Sequence, residues 1–187
     1  MRIVSGKYGG RKIEVPKGDS IRPTSDKVRG AIFNILVSRG AVSGANVLDA
    51  FCGTGAMGLE ALSRGADSCV FMDIHKPSLD VTRQNIMNLG AVAMSQILQK
   101  NAVKPGHRPE SLKPADLVIL DPPYKKNLLL PALEALLEGG WFSRDALIVC
   151  ETEKAFSGGF PAAFSVIDER IYKDTKIIIL TVSGLND

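Results

Sequence analysis

Long apolar runs, paired cysteines and histidines are all scarce in this chain. No stretch of the 187 residues comes near the roughly 20 apolar residues that cross a bilayer, and the opening "MRIVSGKYGG" lacks the apolar segment of a secretion signal. A cytoplasmic protein without membrane contact is therefore expected. The three cysteines, Cys52, Cys69 and Cys150, form no CxxC pair, and two of them sit in apolar runs, so reduced, buried thiols are expected in place of a disulfide frame. His75 and His107 have no Cys or His neighbour at ligand spacing, and no metal site is expected. Internal repeats and low-complexity tracts are missing too. What is there is a chain 45% hydrophobic and 23% charged, a composition and length suited to one folded unit with a sizeable core.

Charge is distributed unevenly. Up to Arg39 there are nine Lys and Arg against three acids, a local charge of +6, whereas the other 148 residues carry 14 bases and 17 acids. A basic amino-terminal arm of this kind suits a phosphate backbone, whose condensed counterions the cations displace; a solvated face is the plainer alternative.

The local patterns divide the chain in two. "RIVSGKYGGRKIEV" predicts a short hairpin, Arg2 to Val4 against Lys12 to Val15, around a glycine-rich turn. "PKGDSIRPTSDK" predicts a loop. Beyond it, apolar residues at 28, 31, 32, 35 and 36 predict an amphipathic helix capped by Thr24 or Ser25 and stopped at Gly40. From Asn46 onward short apolar runs, "NVLDAF", "SCVFMDI", "SQILQ", "DLVILD" and "ALIVCE", alternate with the helical stretches "MGLEALSRG", "PSLDVTRQNIMNLG" and "NLLLPALEALLEGG". That alternation predicts an α/β fold with a mostly parallel sheet covered on both faces. "FSVIDERIYKDTKIIILTV" holds two strand-like runs with no helix between them and predicts a terminal antiparallel hairpin on the sheet edge, for seven strands in all.

The first strand runs into "DAFCGTGAMG", where Gly53, Gly55 and Gly58 match G-x-G-x-x-G, and Asp73 closes the second strand. That is the place of a ribose-binding acid in nucleotide folds. Asp49 narrows the choice of nucleotide. A dinucleotide lays its pyrophosphate on the glycine loop, and a carboxylate just ahead of that loop would repel it. S-adenosylmethionine has no phosphate and carries an ammonium and a sulfonium, which a carboxylate attracts. A P-loop is excluded because no Gly-Lys-Ser or Gly-Lys-Thr follows the turn. The expected cofactor set is Asp49, Gly53, Gly55 and Asp73, with Ile74 over the adenine, Phe51 and Thr54 beside the glycines and Asp121 across the same crevice.

"DPPY", Asp121 to Tyr124, ends the fourth strand, and ligands of doubly wound sheets bind outside the carboxyl ends of the strands. The Asp121 carboxylate and the Pro122 carbonyl suit the two N–H groups of an exocyclic amine. Pro123 stiffens the loop, and Tyr124 offers a face for a flipped base. No covalent nucleophile is needed, and no cysteine stands beside this loop, against a cytosine C5 methyltransferase. Adenine N6, a guanine amine and a protein amide share this acceptor geometry. A nicotinamide-dependent oxidoreductase on the same glycines and a non-catalytic assembly factor are the rival classes.

"RIVSGKYGGRKIEVP", "RPTSDKVRGAIFNIL", "VLDAFCGTGAMGLEALSRGA" and "LVILDPPY", in that order, resemble the bacterial RsmD-type methyltransferases, which methylate the N2 amine of a guanine in small-subunit ribosomal RNA. The resemblance implies a Rossmann-like core over 24–187 with a basic extension over 1–23, S-adenosylmethionine as donor, and the 16S RNA of the 30S subunit, assembled or assembling, as substrate for a monomeric enzyme. It implies catalysis by Asp121, Pro122, Pro123 and Tyr124 and places Arg22, Pro23 and Thr24 near the active site. Arg2, Lys7, Arg11, Lys12, Arg22, Thr24 and Arg29 would hold RNA. Asn101, with Ala102 after it, stands where the family usually has aspartate and a small residue to meet the adenine; the Asn101 amide oxygen still accepts a hydrogen bond there. Cys52 replaces a more usual small residue.

Overall fold

The computed structural model describes residues 1–15 and 25–183. Helix α1 (Asp26–Ser38) starts at Ser25, whose hydroxyl accepts from the Val28 N–H at 3.3 Å, and presents Ile32, Phe33 and Leu36 to the core. The alternating segments then follow: β1 (Asn46–Ala50), α2 (Ala56–Ser63), β2 (Ser68–Asp73), α3 (Lys76–Leu89), β3 (Ser95–Gln99), β4 (Ala115–Leu120), α4 (Leu129–Glu138), β5 (Phe142–Glu153), β6 (Phe164–Tyr172) and β7 (Thr175–Val182). They build one seven-stranded sheet in the order β3-β2-β1-β4-β5-β7-β6. β1 to β5 are parallel, and β7 pairs antiparallel with both β5 and β6.

Strand periodicity decides which residues feed which layer. Val47, Cys69, Phe71, Leu117 and Ile119 face α1, α2 and α3, while Leu48, Ala50, Met72, Val118 and Leu120 face α4 and Trp141. Both faces of the central strands are covered, and these strands accordingly read as near-continuous apolar runs. β5 is longer than "ALIVCE" predicts. Its first residue pairs with Ala115 ahead of a register shift, and its last two pair with the start of β7.

The expected amino-terminal hairpin forms in short: Arg2 bridges Lys12 antiparallel, the Ile3 N–H donates to the Arg11 carbonyl at 2.9 Å, the Ile13 N–H to the Met1 carbonyl at 3.1 Å and the Gly10 N–H to the Ile3 carbonyl at 2.9 Å. The donors between the two paired runs turn to α2. The N–H groups of Val4 and Ser5 donate to the buried Glu60 carboxylate at 2.7 and 3.1 Å, and those of Lys7 and Tyr8 to the Ser63 carbonyl and hydroxyl at 2.8 and 2.9 Å. The arm is thus both paired with itself and pinned along α2, and Ile3, Tyr8 and Ile13 join the core layer of α1, α2 and α3.

Candidate active site

β1 lies between β2 and β4, the place where the chain reverses its direction of travel across the sheet, and a cavity opens at the carboxyl ends of these strands. Its volume is about 860 Å³, room for a nucleoside-sized ligand with a base beside it.

The floor is the turn from β1 into α2. Phe51, Gly53 and Gly55 all take positive φ (64°, 54° and 76°), so the backbone doubles back within five residues, at a strain that a non-glycine residue such as Phe51 accepts only where the surroundings hold it. Gly58 has a different task. A β-carbon there would lie 2.5 Å from Phe71, 2.6 Å from Cys69 Sγ and 3.0 Å from Asp49 Oδ2, so only glycine lets α2 sit this close to β1 and β2. Asn85 supports the turn from α3: its amide donates to the carbonyls of Thr54 and Glu14 and accepts from the Glu14 N–H, joining the end of the arm to the glycine loop.

Asp49 is 2% exposed, and its Oδ2 accepts from the Gly58 N–H at 2.8 Å at the start of α2. Burial outweighs that bond, and with Asp73 nearby the carboxyl is raised to about 7. Asp73 accepts from Gly53 N–H (3.0 Å) and His75 N–H (2.8 Å), which aims it along the cavity wall. Ile74 stands half exposed (51%) on the rim, an apolar surface facing open space. Asn101 Oδ1 accepts from Val103 N–H at 3.1 Å and holds the next turn of the wall. On the opposite side, Pro122 is buried, Pro123 exposed and Tyr124 partly buried. The Tyr124 hydroxyl lies 3.2 Å from Glu151 Oε1 and 3.0 Å from Thr175 Oγ1.

Asp49, Phe51, Gly53, Thr54, Asp73, Ile74, Asn101 and Asp121 to Tyr124, distributed over 76 residues of sequence, therefore line one cavity. Two expected members do not. Gly55 lies beneath the turn against Phe71 and Thr82, and Ala102 is packed into the α4 layer, leaving Val103 in the wall. Glu151, Met1, His75 and Met57 join the lining although the sequence reading did not include them. Glu151 had a visible signal: it closes the apolar run "ALIVC" as Asp49, Asp73 and Asp121 close theirs. Counting it, the lining carries four carboxylates and, among the described residues, no lysine or arginine. No three His, Cys, Asp or Glu side chains among those residues come together to hold a metal ion. The Cys52 thiol, pushed well up by burial, packs against Thr82 under the loop.

Residues 1–181 match the family described as Conserved hypothetical protein 95. Over 153 residues the chain is 35% identical to ribosomal RNA small subunit methyltransferase D of Escherichia coli K12, covering 82% of this chain and 75% of that protein. Against the Haemophilus influenzae methyltransferase D the figures are 33% over 155 residues, 82% and 79%. The chain belongs to the RsmD family. The solved structure of the Escherichia coli protein yhhF matches it with a TM-score of 0.83 at 28% identity over 98% of each chain. The RsmD-type arm, expected to hold RNA, divides on inspection. Arg2, Lys7, Arg11 and Lys12 are exposed, although Arg11 also donates to the carbonyls of Leu89 and Asn88. Arg29 does not belong with them. It is fully buried, bonded to Asp26 Oδ1 (2.9 Å), Glu60 Oε2 (3.5 Å) and the Arg2 carbonyl, and cannot reach a phosphate. Arg22 and Thr24 lie outside the described residues, as do residues 16–24 of the predicted loop, whose last two residues, Asp26 and Lys27, belong to α1.

Proposed function

We propose that this RsmD-family chain is an S-adenosylmethionine-dependent methyltransferase acting on the N2 amine of a guanine in small-subunit ribosomal RNA. The observation that carries the reading is the charge of the cavity. Four carboxylates with no lysine or arginine disfavour a pyrophosphate, and with it a nicotinamide dinucleotide, and the buried Asp49 among them favours a cationic ligand. The relatives' names supply the ribosomal RNA.

Bound here, the donor supplies a methyl group already activated on a sulfonium. The chain's own part is to hold and to orient. Asp49 faces the ammonium, Asp73 accepts from the ribose hydroxyls, Ile74 covers the adenine from the rim and Asn101 meets its edge. Asp121 and the Pro122 carbonyl accept the two N–H bonds of the guanine amine, keeping its remaining lone pair out of the ring plane, while Tyr124 stacks on the extruded base. Arg2, Lys7, Arg11 and Lys12 meet phosphates, so the division between an extension (1–23) and a core (24–187) is one of task, since the arm shares the core's packing. The substrate is the 30S subunit, assembled or assembling, met in the cytoplasm. The enzyme acts as a monomer.

Asp121→Ala is the test. It should bind the donor with wild-type affinity in calorimetry and lose methyl transfer by at least a hundredfold, the scale of a lost positioning group. Full activity in this variant would remove Asp121 from catalysis.

A further inference from the structure

Tyr124 is held from the neighbouring strands β5 and β7 by a contact that the proposed transfer does not itself require. Its hydroxyl donates to Glu151 Oε1 at 3.2 Å and lies 3.0 Å from Thr175 Oγ1. A phenol has one proton to give, so the second bond runs the other way, from the threonine hydroxyl to the phenol oxygen. Burial, together with the Glu151 and Asp121 carboxylates, raises Tyr124 to about 12 against the pull of Thr175, and the donor proton stays in place at neutral pH.

The topology explains how two residues so far apart in sequence meet this loop. β5 ends at the cavity, and β7, running antiparallel beside it, begins there, with Glu153 opposite Thr175 and Glu151 opposite Ile177. Glu151 and Thr175 are 6% and 7% exposed, whereas Tyr124 is only partly buried. Water could serve a partly buried phenol. Taking a carboxylate out of water to do so is costly and makes sense where the ring's plane matters. Just after Tyr124 the chain turns through positive φ at Lys125 and Asn127 (61° and 52°).

We propose that Glu151, seconded by Thr175, is a positioning residue that sets the plane of the Tyr124 ring against the acceptor base. The inference rests on the reading that Tyr124 stacks on that base. It is tested by steady-state kinetics on small subunits lacking the modification, with donor affinity measured separately. Glu151→Ala and Tyr124→Phe should each lower kcat roughly tenfold, the scale of a lost hydrogen bond to a charged group, with donor affinity changed less than twofold. The double variant should be no slower than the slower single one, and Glu151→Gln, whose amide oxygen still accepts, should recover most of the loss. Thr175→Val, close in volume, should lower kcat by a smaller factor and tests the same network if Glu151→Ala fails to fold. Multiplying losses in the double variant, unchanged kcat in Glu151→Ala and Thr175→Val, or a loss confined to donor binding would each overturn the role. A wild-type protein that binds donor but labels no RNA would instead overturn the acceptor reading, and this inference with it.

Discussion

Asp49 is where the cavity's chemistry and its pH dependence meet. Its carboxyl is raised to about 7 by burial, from an ordinary value of 3.8. Between those values the folded chain keeps a proton that the unfolded chain has lost. The stability this contributes is full below about pH 4 and is lost as pH rises through 7. A cation bound beside Asp49 favours its ionised form, so binding must expel the proton at acid pH. Affinity for S-adenosylmethionine should therefore rise by up to about tenfold per pH unit from pH 5.5 towards 7. Calorimetry at stepped pH checks this, with a flat profile expected for Asp49→Asn. At this scale the sequence was readable where a carboxylate closes an apolar run, as at Asp49, Asp73 and Asp121. It misled at Arg29, because a base in a basic segment looks like surface when its partner, Glu60, is 31 residues away.

Between elements, the arm and α2 depend on one buried carboxylate. Glu60 is fully buried and takes the Val4 and Ser5 N–H groups, Arg64 Nε at 2.7 Å and Arg29 Nε at 3.5 Å. Removing it takes one acidic partner from the buried Arg29 guanidinium and leaves the Val4 and Ser5 N–H groups without their carboxylate. Glu60→Ala should lower unfolding free energy by about 3–5 kcal/mol, seen in urea as a lower midpoint with an unchanged slope. A loss below about 1 kcal/mol would mean that water replaces the carboxylate freely. The same contact marks a limit of pattern reading. α1, the alternating strands and helices, and the terminal hairpin follow from periodicity, because each element's apolar face is written in its own residues. The arm's short hairpin forms, but its docking on Glu60 and Ser63 of α2 is recorded in no local pattern. The long β5 is similar: its added residues pair only because Ala115 and β7 lie beside them.

At the scale of the whole molecule, charge divides the labour. A cavity walled by Asp49, Asp73, Asp121 and Glu151 stands beside an arm with exposed Arg2, Lys7, Arg11 and Lys12, so a cationic donor and a polyanionic acceptor are drawn to different parts of one chain. That arrangement was half legible: the basic arm can be counted along the sequence, but the shared cavity appears only once the parallel sheet brings four strand ends together. The most direct measurement incubates the purified protein with labelled S-adenosylmethionine and small subunits from cells lacking this gene, then digests the RNA to nucleosides for mass spectrometry. N2-methylguanosine, formed by the wild type and lost in Asp121→Ala, is the predicted result. Label in N6-methyladenosine or in protein, or none in RNA while the donor still binds, would contradict the assignment of the acceptor.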